Sequence, residues 1–460
     1  MATWRPKLST AQSVPLYRRL VTAMAADIES GKLAPGDRLP PQRDLAYALS
    51  ISVGAVTRAY DDAAQRGLVA AHVGRGTFVV DRAGRDTVPE GTIDLSINTA
   101  PIAPMDVMVE TIATLRRSAA WAERLDYQPP CGLDVDRRAA AAWLSRTAGF
   151  DKLDWRSLIC CSGSQNAMAI ALAALCKSGD TILCEAATFS GAKALAAQQG
   201  YRLQGVEMDG QGVRPQALDR AAASSGARVF YTLPTLQNPT ARMMSRERRA
   251  EIVRIARARD LWIVEDDIYA PYAHHLGLPP LAMLAPERTF YVSSLSKILS
   301  PGLRVGFLVA PPGDAYDGCL RALRALIHSP AGLGAAIATE WIESGRADDL
   351  ARDVRSEAGA RTAMALAALK GMADEPLTAM SLHLWLPMRE IKAERTVARA
   401  LTAGLRLTSP AAFSVADGKM ASGVRLCIGS AANRATLERA LSILKGAVRG
   451  DVDDRLSAAL

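Results

Sequence analysis

The segment Ser293-Ser294-Leu295-Ser296-Lys297-Ile298-Leu299-Ser300-Pro301-Gly302-Leu303-Arg304-Val305-Gly306-Phe307 puts a lysine just after an apolar run. Hydroxyls precede the lysine and an arginine follows it, a set suited to an aldehyde cofactor that carries a phosphate. Lys297 would form a Schiff base, its amine kept nucleophilic by a pKa that burial lowers. Ser294, Ser296 and Arg304 would hold the phosphate, which a guanidinium can grip with two parallel hydrogen bonds. In Val264-Glu265-Asp266-Asp267-Ile268-Tyr269, Asp266 suits a pyridine nitrogen, which it would keep protonated so that the ring draws electrons. Tyr269, and Asn238 in the turn Pro234-Thr235-Leu236-Gln237-Asn238-Pro239-Thr240, would hydrogen-bond a phenolic oxygen of that ring. Cys161-Ser162-Gly163-Ser164-Gln165 joins a strand to a helix, so Ser164 and its backbone N–H groups would meet an anion. Each piece alone reads as a turn, a cap or a solvated carboxylate. Their coincidence at successive strand ends does not.

Short β runs alternating with helices would position these groups. The candidate strands are Ser157–Cys161, Thr181–Glu185, Arg202–Glu207, Arg228–Leu233, Leu261–Glu265, Thr289–Ser293 and Val305–Ala310. Helical patterns cover Gln165–Lys177, Gly191–Gln199 and Ser245–Arg259. The alternation predicts an α/β fold, a mostly parallel sheet covered on both faces with ligands at the carboxyl ends of its strands. From about Gly332 the pattern is mainly helical with a strand at Val424–Ile428, a smaller C-terminal α+β domain. The expected division is a head over 1–82, a Gly/Pro-containing linker over 83–93, a large domain over 94–330 and a small domain over 331–460.

The 460 residues carry a net charge of +8, unevenly distributed. Residues 1–82 hold 11 Lys and Arg against 7 Asp and Glu, half of the excess, which points the head at a polyanion. Apolar residues make up 49% and charged residues 22%, too apolar for a disordered chain. The longest apolar run, Ala167–Cys176, is about half of what a bilayer requires. Seven cysteines without a CxxC pair, and a start without a signal-peptide core, predict a reducing, cytoplasmic setting with no structural zinc.

In the head, Pro41–Ser50 reads as a helix with Leu45 and Leu49 inward, and Ser52 as N-cap of a second helix, Val53–Arg66. Val56, Tyr60 and Ala63 or Ala64 would face the core, leaving Gly54, Thr57 and Arg58 outward. With the turn Gly74-Arg75-Gly76-Thr77 feeding a β run, this describes a winged helix-turn-helix whose second helix enters the major groove. Arg43 and Arg75 would meet phosphates; Ser52, Thr57, Arg58 and Thr77 complete the candidate DNA-facing set.

Pro15-Leu16-Tyr17, Ser30 to Pro40, Arg43-Asp44-Leu45-Ala46 and Gly74 to Val79 resemble, in order, the GntR-type DNA-binding domain. One departure is Ser52-Val53-Gly54-Ala55-Val56, where the family has Ser-Arg-x-Thr-Val. The body resembles the class I/II aminotransferases of the main pyridoxal-phosphate fold over about residues 95–450. That resemblance implies pyridoxal 5′-phosphate on Lys297, Asp266 on the ring nitrogen, and Asn238 and Tyr269 on the phenolic oxygen. Ser164, Gln165, Ser294, Ser296 and Arg304 would bind phosphate, and Phe189 would stack on the ring. It further implies that Tyr127 reaches the phosphate of a second subunit, hence a homodimer, and that Arg425 grips a substrate α-carboxylate. Ala241 stands where the family has glycine. The fusion resembles the MocR subfamily of bacterial regulators, whose dimers often exchange N-terminal domains. The expected function is a regulator that binds operator DNA and senses an amino acid or amine through Lys297. The alternatives are a working aminotransferase with a secondary DNA-binding module and a sensor of pyridoxal phosphate itself.

Overall fold

The computed structural model describes residues 4–6, 8, 15–30, 32–33, 37–65, 68–72, 76–79, 91–102, 104–118, 121–415 and 422–450. The chain divides into two compact units, Met1–Glu90 and Gly91–Leu460. Most of the expected linker, together with the wing tip Arg75, lies outside the described residues.

The first unit packs three helices, α1 (Leu16–Glu29), α2 (Gln42–Leu49) and α3 (Val53–Gln65), with a hairpin of β1 (Val69–His72) and β2 (Gly76–Val79). On α3 the buried residues are Val56, Ala59, Tyr60 and Ala63, spaced as one helical face, so Ala63 rather than the exposed Ala64 faces inward. They close on Leu20, Val21 and Met24 of α1 and on Leu45 and Ala46 of α2. Tyr60 donates from its hydroxyl to the Pro40 carbonyl at 2.8 Å, which satisfies its polar tip inside that core. Ser52 caps α3, its Oγ accepting from the Ala55 N–H at 3.2 Å.

The second unit is built on a seven-stranded sheet. In chain order its first strands are β4 (Leu158–Cys161), β5 (Thr181–Glu185) and β6 (Arg202–Val206), after the short β3 (Ile93–Asp94). A two-residue ribbon, β7 (Met208–Asp209) and β8 (Gly212–Val213), is followed by β9 (Val229–Thr232), β10 (Trp262–Asp266), β11 (Thr289–Ser294) and β12 (Gly306–Val309). The sheet order is β4-β12-β11-β10-β9-β5-β6, and β12 runs antiparallel to both neighbours while the other pairs are parallel. These are the seven strands expected from the sequence. Both faces are covered: Leu158 and Cys160 join one apolar cluster with Trp143, while Ile159 and Cys161 join another with the helix Ser164–Leu175.

The small lobe has its own core, formed with β13 (Leu384–Pro387), β14 (Leu405–Arg406) and β15 (Gly423–Leu426). Strand β13, which the sequence reading missed, pairs antiparallel with β15. Packing does not divide at residue 331. The helix Gly332–Glu343 buries Ile337, Trp341 and Ile342 in the large-lobe core, and the helix Arg346–Ala368 contributes to both cores. Conversely, β3 at the start of the body pairs with β14, and Leu95 lies in the small-lobe core. A small lobe can thus recruit a distant segment whose edge it completes. Among the described residues no helix is long and apolar enough to cross a membrane.

Candidate functional site

The lysine segment leaves β11 as a single turn of 3₁₀ helix, Leu295–Lys297, capped by Ser294. The Ser294 hydroxyl accepts from the Ser296 N–H at 3.1 Å and donates to the Val305 carbonyl at 2.9 Å. In the chain by itself the Ser294 hydroxyl thus shapes the turn, sharing the Val305 carbonyl with the Leu295 N–H. Lys297 Nζ donates to the Asn98 carbonyl at 2.5 Å. Burial pushes its pKa below the usual lysine range; Arg425 and Arg304 push the same way, while Asp266 opposes them.

Asp266 ends β10 and is buried. Its Oδ2 accepts from the Tyr231 hydroxyl at 2.9 Å, whereas Oδ1 has no hydrogen-bond partner. Burial raises its pKa to about 6, against the pull of the Tyr231 hydrogen bond. Tyr231 was not anticipated; it lies in the apolar β9, where its hydroxyl looks like one more buried aromatic. The Tyr269 oxygen accepts from Asn98 Nδ2 at 2.9 Å, and burial holds its phenol well above the usual range. Asn238 Oδ1 accepts from Arg425 Nη1 at 2.8 Å, which turns the amide nitrogen of Asn238 away from that arginine.

Arg425 comes from the middle of β15 and is buried. Besides Asn238, it donates to the Ser96 carbonyl and to Thr408 Oγ1, and its guanidinium lies 4.7 Å from the Phe413 ring centre. Its Nε has no partner. Asn98 Nδ2 also meets His383 Nδ1 at 2.9 Å, while His383 Nε2 faces the Gln237 carbonyl at 3.1 Å. A carbonyl only accepts, so the proton belongs on Nε2 and Nδ1 accepts from Asn98. Burial first, then Arg425, lowers the His383 pKa to about 3, so this ring is neutral. Asn98 and His383, like Tyr231, are site residues that the sequence did not reveal. Asn98 Oδ1 is a third buried polar atom without a partner in this one cluster.

At the other end of the cluster, Gly163 precedes the helix Ser164–Leu175 at φ +89°, and a Cβ there would stand 2.6 Å from Arg304 Nη2. Arg304 donates to the Ser162 carbonyl at 3.1 Å and holds a left-handed backbone, φ 53°, a conformation that disfavours side chains and recurs at functional sites. Ser296, next to Lys297 on the lysine turn, is buried. Gln165 uses its side-chain amide on the Gly191 carbonyl at 2.8 Å, and its backbone N–H stands in the first turn of the helix Ser164–Leu175. Phe189 occupies the N-cap position of the helix Ser190–Gln199, half-buried. Tyr127 is 81% exposed, edge-on to His328 with ring centres 4.9 Å apart, and does not join the cluster within one chain.

The cradle is tight at Gly306, where an added Cβ would lie 2.4 Å from the Gly163 carbonyl carbon. Gly306→Ala is expected to destabilise the protein by about 2–3 kcal/mol, because backbone must move to admit the methyl. Urea unfolding checks this; a loss under about 0.5 kcal/mol would mean that the loop yields freely.

In the head, Arg43 is exposed on the first turn of α2. Arg58 is exposed on α3, with its guanidinium 5.2 Å from the Tyr17 ring centre. The Thr57 hydroxyl donates to Gln42 Oε1 at 2.7 Å, bracing α3 against α2. Thr77 is half-buried on β2, and its carbonyl accepts from the Leu39 N–H.

Comparison with known proteins agrees with both units. Residues 90–444 match aminotransferase class I and II, and residues 16–79 match the bacterial regulatory proteins of the gntR family. The chain is 30% identical over 319 residues to the uncharacterized HTH-type transcriptional regulator YdeF of Bacillus subtilis, covering 67% of each. It is 28% identical over 367 residues to the probable rhizopine catabolism regulatory protein MocR of Rhizobium meliloti, covering 72% of each. Among solved structures, LysN of Thermus thermophilus, an α-aminoadipate aminotransferase complexed with N-(5′-phosphopyridoxyl)-L-leucine, superposes with a TM-score of 0.70 at 25% identity. That match covers 80% of this chain and 95% of LysN. A winged helix of the gntR type on a class I/II aminotransferase body makes this chain a member of the MocR subfamily of DNA-binding transcriptional regulators.

Proposed function

We propose that this regulator is governed by pyridoxal 5′-phosphate held on Lys297 and by an amino compound bearing a carboxylate that reacts there. The observation that carries this reading is the convergence of three buried, partnerless polar atoms, Asp266 Oδ1, Asn98 Oδ1 and Arg425 Nε, around a lysine amine of lowered pKa. Buried polar atoms are nearly always satisfied, so such a cluster marks a ligand's place.

The donors fit the group. Asp266 Oδ1 would accept from the ring nitrogen, Tyr269 and Asn238 would face the phenolic oxygen, and Phe189 would cover the ring. The N-terminus of the helix Ser164–Leu175, with the backbone N–H of Gln165, and Ser296 and Arg304 would hold the phosphate. When bound, the group supplies an aldehyde that takes up amines and a ring that draws electrons from the carbon they carry. Lys297 provides the first amine, its pKa lowered by burial, and Arg425 would hold the ligand's carboxylate.

The protein would act in the cytoplasm as a homodimer. Met105 (72% exposed), Val109, Leu125 and Tyr127 are exposed apolar side chains, the first two on the helix Met105–Leu115, which packs on the helix Gly332–Glu343. A second copy covering these side chains would bring in Tyr127.

The test is reduction with borohydride after incubation with pyridoxal 5′-phosphate, followed by peptide mass mapping. The label is expected on Lys297, with parallel loss of the visible absorbance in Lys297→Ala. An unlabelled Lys297 peptide overturns the reading.

A further inference from the structure

Four consecutive carbonyls at the start of the body are each held by a distant part of the fold. The Leu95 carbonyl accepts from the Cys427 N–H at 3.2 Å, and that of Ser96 accepts from Arg425 and, at 2.9 Å, from Thr408 Oγ1. The Ile97 carbonyl accepts from the Ser430 hydroxyl. These partners all belong to residues 408–430, in or beside the small lobe. The fourth carbonyl, Asn98, crosses to the large sheet and accepts from Lys297 Nζ. The Asn98 side chain makes the same crossing to the Tyr269 oxygen. Amides complete the attachment on the small-lobe side, Ile93 N–H to the Gly404 carbonyl at 2.9 Å and Leu95 N–H to Arg406 at 3.0 Å.

The segment is thus sewn to the small lobe along its length and pinned to the large lobe at Asn98. The pin is the Lys297 amine, the group whose occupancy would change in the function proposed above, and the trigger rests on that reading. When bound, the cofactor would engage that amine. An amino ligand replacing Lys297 on it would exchange one amine for another at the same carbon and leave Lys297 free, with no change in electrons or net protons.

We propose that Ile93–Asn98 is a latch between the two lobes, closed when a free Lys297 amine holds the Asn98 carbonyl and loosened when that amine is engaged. Its first strand begins two residues after Gly91, where the body starts, so the chain leading from the DNA-binding head runs directly into the latch. The state of one lysine then bears on the segment that tethers the head. Asn98 is a positioning residue here: its carbonyl reads the amine, and its side chain holds Tyr269 against the neutral His383.

Hydrogen–deuterium exchange on the full chain tests this, read on the peptide that contains the Ile93 and Leu95 amides. Without cofactor, Lys297→Ala and Lys297→Met, the latter filling the same space without a donor, should exchange there at least roughly tenfold faster than the parent protein. That is the range expected for losing a hydrogen bond to a charged or strongly polar donor. Lys297→Arg keeps a donor and should stay within about threefold of the parent. Peptides from β10 and β11 should not change in any variant. Adding pyridoxal 5′-phosphate should speed exchange of the latch in the parent and leave Lys297→Arg unmoved. Unchanged exchange in both Ala and Met variants overturns the latch, as does an Arg variant as fast as Ala. If the cofactor fails to attach to Lys297 while the cofactor-free variants behave as stated, the functional reading falls and the latch stands.

Discussion

Replacing Asp266 by asparagine is expected to weaken pyridoxal 5′-phosphate binding by roughly 30- to 100-fold, the cost of a charge-assisted hydrogen bond of about 2–3 kcal/mol. The amide oxygen of Asp266→Asn can still accept from Tyr231, so the local fold is retained while the charge facing the ring nitrogen is lost. Titration of visible absorbance measures the effect, and a change under about threefold would remove Asp266 from that role. The same carboxyl makes a pH prediction for the cofactor-free protein. Its pKa in the fold is raised from 3.8 to about 6, chiefly by burial. Between those values the folded state binds the proton and the unfolded state does not. The folded state therefore loses stability as pH rises through this window, by about 3 kcal/mol. Cofactor whose ring nitrogen pairs with the ionised carboxylate should offset that loss. The rise in Tm on adding pyridoxal 5′-phosphate should accordingly be larger at about pH 7.5 than at about pH 5, and larger than in Asp266→Asn. An equal rise at both pH values would contradict the pairing.

Arg425→Gln is the second large effect. In the cofactor-loaded protein, apparent affinity for amines that carry a carboxylate should fall by about 100-fold, again a charge-assisted, two-point contact. Amines of similar size without a carboxylate should change by less than about threefold. Spectral titration with matched pairs of amines separates the two. Glutamine keeps an amide donor for Asn238 or the Ser96 carbonyl, both now served by Arg425, so the lobes stay joined. If both amine classes weaken alike, Arg425 serves the fold rather than a ligand.

The arrangement also explains why Arg425 can remain charged in a buried site. It is held by the Asn238 side chain, the Ser96 carbonyl, Thr408 and the Phe413 ring, four polar or polarisable neighbours. None is a carboxylate, so its charge is solvated by dipoles without being neutralised. An anionic ligand would complete the pairing.

Much of this was legible before any coordinates. The seven strands stand out because a mostly parallel sheet buried on both faces needs unbroken apolar runs, such as Leu158–Cys161 and Val229–Thr232. Lys297, Asp266 and Asn238 follow strand ends, so local pattern alone puts them at one edge of the sheet. The helix-turn-helix was equally readable, from a capping serine and the spacing of Val56, Tyr60 and Ala63 or Ala64, to which packing adds Ala59 and of which it selects Ala63.

Other features depend on contacts that no local pattern carries. Asn98 meets Tyr269 across 171 positions and His383 across 285, and its own surroundings, Ile97-Asn98-Thr99-Ala100-Pro101, read as an ordinary loop. The two-residue β3 has too few side chains for a period to show, and exists because β14 offers it an edge. The partners that Ser294 and Thr57 find within the chain, the Val305 carbonyl and Gln42, likewise follow from packing and not from their immediate sequence. Residue type and spacing therefore decided which chemistry the chain can host and on which framework. The tertiary structure alone decided which polar groups are left without partners, because hydrogen bonds are allotted by proximity in space once distant segments have packed.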